Sequence, residues 1–234
     1  MTEILRVQGI QKSFGYRKLL KGLDFSLQGG EALMLLGRNG EGKSTLLKII
    51  TGLMRPEQGE VLFKGQRVQD NPEGFRSAMG VISHQIHFYN ELTAAENLQF
   101  FCALKGGKDL LDKIHQALLA VGLSPFANSR VGTFSSGMGK RLGIARLMVS
   151  EPEILFLDEP YTGLDYDSIE FFNNYLVSFK EAGGSLVMVT HQIDLFYPIS
   201  DQILILRQGQ FQSIDKHHKH SYEELLTQYQ EISS

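Results

Sequence analysis

Nine residues, Gly37-Arg38-Asn39-Gly40-Glu41-Gly42-Lys43-Ser44-Thr45, constrain this chain more than any others. They follow the apolar run Ala32 to Leu36 and precede the helical pattern Leu46, Leu47, Ile49, Ile50, so the region reads as strand, tight loop, helix. A chain of phosphates needs backbone N–H donors that approach closely, and glycines let a loop curl without a Cβ in the way. Gly37, Gly40 and Gly42 supply that freedom. A helix starting near Lys43 adds unpaired N–H groups and a positive dipole end, while Lys43 can reach the terminal phosphates and Ser44 can ligate Mg²⁺. The pattern predicts a nucleotide-binding P-loop. Kinases, GTPases and transport ATPases share it, so the loop alone leaves the chemistry open.

With 234 residues and 42% apolar content the chain can form one large α/β domain, or a core carrying a smaller subdomain. One cysteine, Cys102, rules out an internal disulfide and a cysteine-cluster metal site. It sits in an apolar helical pattern, as a packing residue would. The formal charge is −3 and basic residues are scattered, so no nucleic-acid partner is expected. Met1-Thr2-Glu3 lacks a basic segment followed by an apolar stretch, and no secretory signal is expected. No apolar run approaches the ~20 residues of a membrane span.

Taken in order, Ile4 to Ile10 reads as a strand, Lys12 to Tyr16 as a turn bearing two aromatics, and Leu23, Phe25, Leu27 as a half-buried strand. Phe14 or Tyr16 could stack on an adenine ring or merely pack the strand edge. Gly52 to Gly59 reads as a loop, Glu60 to Phe63 and Gly80 to Ser83 as strands. Thr93-Ala94-Ala95-Glu96 is a capping box that should start a helix carrying Leu98, Phe100, Phe101 and Leu104 inward. A second helix fits Leu110 to Val121, with Ile114, Leu118 and Val121 on one face. Strand signals vanish between about 86 and 150, which predicts an inserted helical subdomain within a single 1–234 domain.

The sheet pattern resumes at Ile154-Leu155-Phe156-Leu157, a run apolar on both faces that ends in Asp158, Glu159 and Pro160. Active groups of open α/β sheets sit at the carboxyl ends of such strands, so both acids belong beside the P-loop. Side chains alternate there, so one acid can hold Mg²⁺ while the other faces a water. Leu186 to Thr190 is another buried strand and delivers His191 to the same edge. Ile203 to Leu206 reads as a last strand, and Ser221-Tyr222-Glu223-Glu224 as a capping box opening a terminal helix within the 214–234 tail. His217, His218 and His220 flank Lys219 in that tail and read as solvated.

Placed together, these elements resemble the nucleotide-binding subunit of an ATP-binding-cassette (ABC) transporter over about residues 4 to 213. Gln85 falls where that family has its glutamine loop. Phe134-Ser135-Ser136-Gly137-Met138 resembles the family signature, Leu157-Asp158-Glu159 its acid-bearing strand end, and Thr162-Gly163-Leu164-Asp165 the loop that crosses a dimer. His191 matches the switch histidine, and Phe14 takes the place of the adenine-stacking aromatic. The resemblance implies a P-loop NTPase core, a mostly parallel sheet with helices on both faces, plus an antiparallel N-terminal β subdomain and the inserted helical subdomain.

It also implies a mechanism. Two copies, or this chain and a homologous subunit, would sandwich two ATP molecules, each between the P-loop of one and the signature of the other. Gly37 to Thr45 and Phe14 would hold one face of the nucleotide, and Ser135, Ser136 and Gly137 the other. Lys43 would act on the terminal phosphates, Glu159 would polarise the attacking water and His191 would align it, while Asp158, Ser44 and Gln85 would hold Mg²⁺. Ser136 stands where the common signature has Gly and Met138 where it has Gln. That variant, with Ser83-His84-Gln85 and the Glu91 to Leu98 segment, looks most like exporter ATPases, including those resembling haem exporters of cytochrome c maturation. The expected partner is a separate transmembrane permease that receives the chain at the cytoplasmic face of the cell membrane, the inner membrane in a bacterium. Its docking helix would enter a groove near Gln85, Phe88, Tyr89 and Phe100. A soluble cassette ATPase with an assembly role is the alternative.

Overall fold

The computed structural model describes residues 2–83, 88–103, 110–214 and 222–233. Gln85, Leu104, Ser221 and the histidines His217, His218 and His220 lie outside them. The chain opens with a long hairpin, β1 (Glu3–Phe14) and β2 (Arg17–Gln28), then runs through β3 (Ala32–Gly37) into α1 (Lys43–Ile50). Next come β4 (Gln58–Phe63), β5 (Gln66–Arg67), α2 (Pro72–Ala78) and β6 (Met79–Ile82). Three helices follow, α3 (Ala94–Ala103), α4 (Leu110–Ala120) and α5 (Ser136–Ser150). The chain closes with β7 (Ile154–Asp158), α6 (Tyr166–Glu181), β8 (Ser185–Val189), α7 (Ile193–Phe196), β9 (Gln202–Arg207), β10 (Gln210–Ile214) and α8 (Tyr222–Ser233).

Two sheets result. β2-β1-β4-β5 is antiparallel, and β10-β9-β3-β8-β7-β6 is parallel except for β10 at one edge. Strand alternation divides the larger sheet between two cores. Met34, Leu36, Leu155, Leu157, Leu186 and Met188 pack with residues of α3 to α6, including Leu98, Leu118, Leu142 and Phe172. Leu33, Leu35, Phe156, Val187 and Val189 pack instead with α1 and the antiparallel sheet through Leu46, Ile50, Leu5 and Leu27. Each of these fully buried side chains contributes about 1.5–3 kcal/mol on burial. The sheet is thereby covered on both faces, which is why its central strands read as continuous apolar runs.

The capping box forms as the spacing predicts: Thr93 N donates to Glu96 Oε2 at 2.8 Å and Glu96 N donates to Thr93 Oγ1 at 3.2 Å. Ile114 and Leu118 on α4, and Val121 just beyond it, are buried. Four readings need correction. β1 continues through Lys12 and Ser13 to Phe14, and only Gly15 and Tyr16 turn; the end of the hairpin pairs through polar residues, Lys12 with Leu20 and Ser13 with Lys18, and so shows no apolar alternation. α2 has no counterpart in the expected elements, because its seven residues bury only Phe75 and carry no period. Its start is set by Asn71, whose side chain accepts from Gly74 N, with Pro72 as first helical residue. β9 is not the last strand, since β10 pairs back on it with a largely polar sequence suited to a sheet edge. Phe100, expected inward, is 39% exposed, while Phe101 is half-buried.

Candidate functional site

The carboxyl ends of β3, β7 and β8 converge on one cavity of about 520 Å³. Asn39, Gly40, Gly42, Lys43, Ser44 and Thr45 line it on one side, Asp158, Glu159 and Thr162 on another, and His191 and Gln192 on a third. The loop geometry requires two of its glycines. Gly37 has φ +150°, and a Cβ there would lie 2.5 Å from the Leu206 carbonyl oxygen of the paired strand β9. Gly42 has φ +108°, and its Cβ would lie 2.9 Å from a Leu20 methyl carbon. The hairpin β1–β2 therefore packs against the loop at the base of α1, and Arg17 donates to the Gly40 carbonyl at 3.1 Å.

Lys43 is buried at the start of α1, and its ammonium donates to the carbonyls of Gly37 at 2.6 Å and Arg38 at 3.0 Å. Burial pulls this ammonium below the usual lysine range, while the carboxylates of Glu159, Asp158 and Glu41 push it back up. Ser44 is exposed beside it and Thr45 half-buried. Glu41 turns its carboxylate to Gln208, whose backbone N–H donates to it at 2.7 Å, so this side chain ties the loop to the β9–β10 turn.

The two acids carry the least satisfied atoms of the site. Asp158 Oδ1 and Glu159 Oε1 are buried without a hydrogen-bond partner. Glu159 also holds φ +50°, an unusual conformation for a residue with a side chain, costing on the order of 1–3 kcal/mol. Its backbone N–H donates to the Val189 carbonyl at 2.9 Å, and its Oε2 accepts from His191 N at 3.3 Å, which fixes the kink. The His191 ring closes the arrangement: Nε2 lies 3.0 Å from Asn39 Oδ1 and 3.4 Å from Glu159 Oε1. The histidine thus spans from the P-loop to the acid-bearing strand end.

Asp158 Oδ1 and the Ser44 hydroxyl are hard oxygen donors facing one cavity, and the residues fit a magnesium ion. Among the described residues no three His, Cys, Asp or Glu side chains cluster to hold a metal unaided. That suits an ion which keeps waters and takes its remaining ligands from substrate phosphates. Gln85 was expected as a further ligand and lies outside the described residues.

Phe14, Ser135, Ser136 and Gly137 are not among the lining residues. Phe14 lies at the end of the hairpin, 51% exposed, with the Lys12 ammonium 5.8 Å from its ring. Ser135 is the N-cap of α5, where its hydroxyl accepts from Met138 N at 3.2 Å, and Ser136 beside it is exposed. Gly137 faces the Thr162 to Asp165 loop; a Cβ there would lie 3.9 Å from the Gly163 carbonyl oxygen. At the end of that loop Asp165 caps α6 by accepting from Ser168 N at 2.9 Å, and hydrogen bonds from the Ser168 side chain and backbone hold its carboxyl below the usual range. Sequence reasoning missed Arg17, Leu19, Gln192 and Gln208. None sits in a pattern that marks it, because each reaches the loop or the cavity only through tertiary packing.

The family model described as ABC transporter matches residues 20–162. The chain belongs to the ABC transporter family. Within it, the chain is an ATP-binding subunit, an ABC-type ATPase. It is 32% identical to the SkfA peptide export ATP-binding protein SkfE of Bacillus subtilis over 88% of this chain and 87% of that protein. It is 36% identical to the cytochrome c biogenesis ATP-binding export protein CcmA of Pseudomonas putida over 82% of this chain and 90% of that one. A solved ATP-binding subunit of an ABC transporter superposes with TM-score 0.88 at 26% identity, covering 97% of this chain and 99% of that chain. The dimeric post-hydrolysis state of the cassette MJ0796, bound to ADP and Pi, superposes with TM-score 0.83 at 26% identity, covering 91% and 98%. The ABC ATPase fold therefore accounts for both sheets and for the helical layer.

Proposed function

We propose that this ABC ATPase powers export through a separate membrane-spanning subunit, binding and hydrolysing ATP between two facing copies or between itself and a homologous subunit. The observation that carries the reading is the pair of buried oxygens on Asp158 and Glu159, neither of them hydrogen-bonded, across one cavity from Lys43 and Ser44. Acceptors without hydrogen bonds, held rigidly beside a phosphate loop, suit a metal ion and an attacking water. The backbone of Gly37 to Thr45 would cradle the phosphates, with Arg38, Asn39, Gly40, Glu41 and Gly42 contributing their N–H groups. Lys43 would exchange its carbonyl contacts for the β- and γ-phosphates, and Phe14 would stack on the adenine.

Asp158, Ser44 and Gln85 would hold Mg²⁺, which when bound neutralises charge on the phosphate oxygens. Glu159 would accept the proton of the attacking water, and His191, released from Asn39 as the γ-phosphate enters, would hold that phosphate in line. Ser135, Ser136 and Gly137 lie outside the cavity of their own chain, so they would act on the nucleotide of the facing copy, as donors at the positive end of α5. Among the described residues no helix is long and apolar enough to cross a membrane, which fits a peripheral place at the cytoplasmic face. Relatives named for peptide export, fluoroquinolone export and cytochrome c biogenesis export support the direction.

Glu159→Gln tests the mechanism. It is expected to bind ATP and dimerise while steady-state phosphate release falls about 10²- to 10⁴-fold. Turnover at the wild-type rate would remove Glu159 from the proton-accepting role.

A further inference from the structure

Glu41 puts a negative charge into the loop that has to receive a polyanion, and the phosphate-binding role given to it above uses only its backbone. Its side chain is not among the groups that line the cavity. Oε2 instead accepts from Gln208 N at 2.7 Å, and Glu41 makes no ion pair among the described residues. The charge still reaches the site, since it helps to hold the Lys43 ammonium up against burial.

The group that holds this carboxylate is itself firmly held. Gln208 and Gly209 are the two residues between β9 and β10, with φ +49° and +79°, the left-handed pair that a two-residue hairpin turn requires. Gly209 is buried against β2: its carbonyl accepts from Lys21 N at 2.9 Å, and a Cβ on it would lie 2.6 Å from the Leu19 carbonyl oxygen. The same stretch of β2 packs on the phosphate loop at Gly42 through Leu19 and Leu20. Turn, hairpin and loop thus form a closed frame, and the Glu41 bond is a polar link across it at the middle of the loop. Satisfying Gln208 N does not by itself call for an acid. A glutamine would offer an acceptor without a charge that repels phosphate. What the acid adds is a charge-assisted bond, shorter and about twice as strong as a neutral one, which suits a link that must keep the loop from shifting.

We propose that Glu41 is a positioning residue for the triphosphate: through Gln208 N–H its carboxylate fixes the middle of the phosphate loop on the β9–β10 turn. The loop donors are then aimed before the nucleotide arrives, which lowers the ordering cost of binding. The charge opposes the phosphates, so binding stays weaker than the ordered loop alone would make it. The inference rests on the reading of Gly37 to Thr45 as the phosphate cradle and adds what keeps that cradle in shape.

Three substitutions separate the bond from the charge, with the affinity of the isolated chain for Mg-ATP and for inorganic triphosphate measured by calorimetry. Glu41→Gln keeps an acceptor oxygen at the same reach and drops the charge, so it should bind both ligands at least as tightly as wild type. Glu41→Ala loses bond and charge together and should bind both about five- to tenfold more weakly, the worth of one intramolecular hydrogen bond. Glu41→Asp keeps the charge on a side chain one methylene too short for the bond, and should bind most weakly of all. Its deficit against Glu41→Ala should shrink between about 0.05 and about 0.5 M salt, as a charge effect does. KM for ATP should follow the same order. Binding by Glu41→Gln as weak as that of Glu41→Ala, or by Glu41→Ala as tight as that of wild type, would overturn the inference while leaving the cradle intact. A wild-type chain that binds neither ligand would defeat the cradle reading first, and this inference with it.

Discussion

Two helix N-termini in this molecule, both given to the nucleotide in the function we propose, are finished to different degrees. At α1 the loop Gly37 to Gly42 wraps the helix end, Gly42 stands at the N-cap without any side-chain cap, and the buried Lys43 ammonium rests on loop carbonyls. At α5 the N-cap is an exposed serine already bonded to Met138 N, and it lies outside the cavity that Asp158 and Glu159 line. The first end is a cradle with a lysine and two acids at hand; the second is a bare donor surface. A half-site of the second kind is productive only when another surface supplies what it lacks, which is the physical case for a head-to-tail pair.

Four substitutions bear on that contrast. Ser135→Arg places a large cation on the bare end, and it should lower turnover about 10²- to 10³-fold by removing donors from the γ-phosphate of the facing copy. Nucleotide affinity of the separated chain, measured by calorimetry, should not move; if it does, the two ends belong to one site and the contrast breaks. Lys43→Ala should weaken ATP binding about 10- to 150-fold, the worth of a charge-assisted hydrogen bond of about 1.5–3 kcal/mol. A lysine that only braced the loop would instead lower the unfolding temperature and leave affinity near wild type.

Phe14→Ala sharpens the boundary of the cradle. Stacking is worth about 1–3 kcal/mol per base, so adenine nucleotides should bind about fivefold or more weaker, whereas inorganic triphosphate should bind alike. Equal loss for both ligands would return Phe14 to strand packing. Thr93→Ala at α3 serves as the control, an N-terminus whose capping is complete within the chain. It should cost ~1 kcal/mol of stability in denaturant unfolding and leave ATP binding untouched.

Much of this was legible in the sequence wherever one local rule governs. The P-loop, the buried strands ending at Asp158 and Val189, and the Thr93 to Glu96 box each follow from spacing, because phosphate geometry, sheet burial and capping act within a few residues. The readings failed where the period was short or polar. α2 has one buried residue, β10 has few apolar ones, and the tip of the hairpin pairs through lysine and serine. Within the site, Arg17 and Gln208 brace the loop by single bonds from distant elements, and nothing around them in sequence marks that duty.

Sequence alone determined that a phosphate-loop pattern stands at a strand-to-helix turn and that two acids and a histidine end neighbouring strands. Those facts need only local chemistry and the rule that parallel strands share a functional edge. Tertiary structure decided what the groups do to one another: that His191 bridges Asn39 and Glu159, and that one oxygen on each acid is buried without a hydrogen bond. The reason is that a missing partner is a property of the whole surrounding shell, assembled from segments as distant as Asn39 and His191, 152 residues apart in sequence.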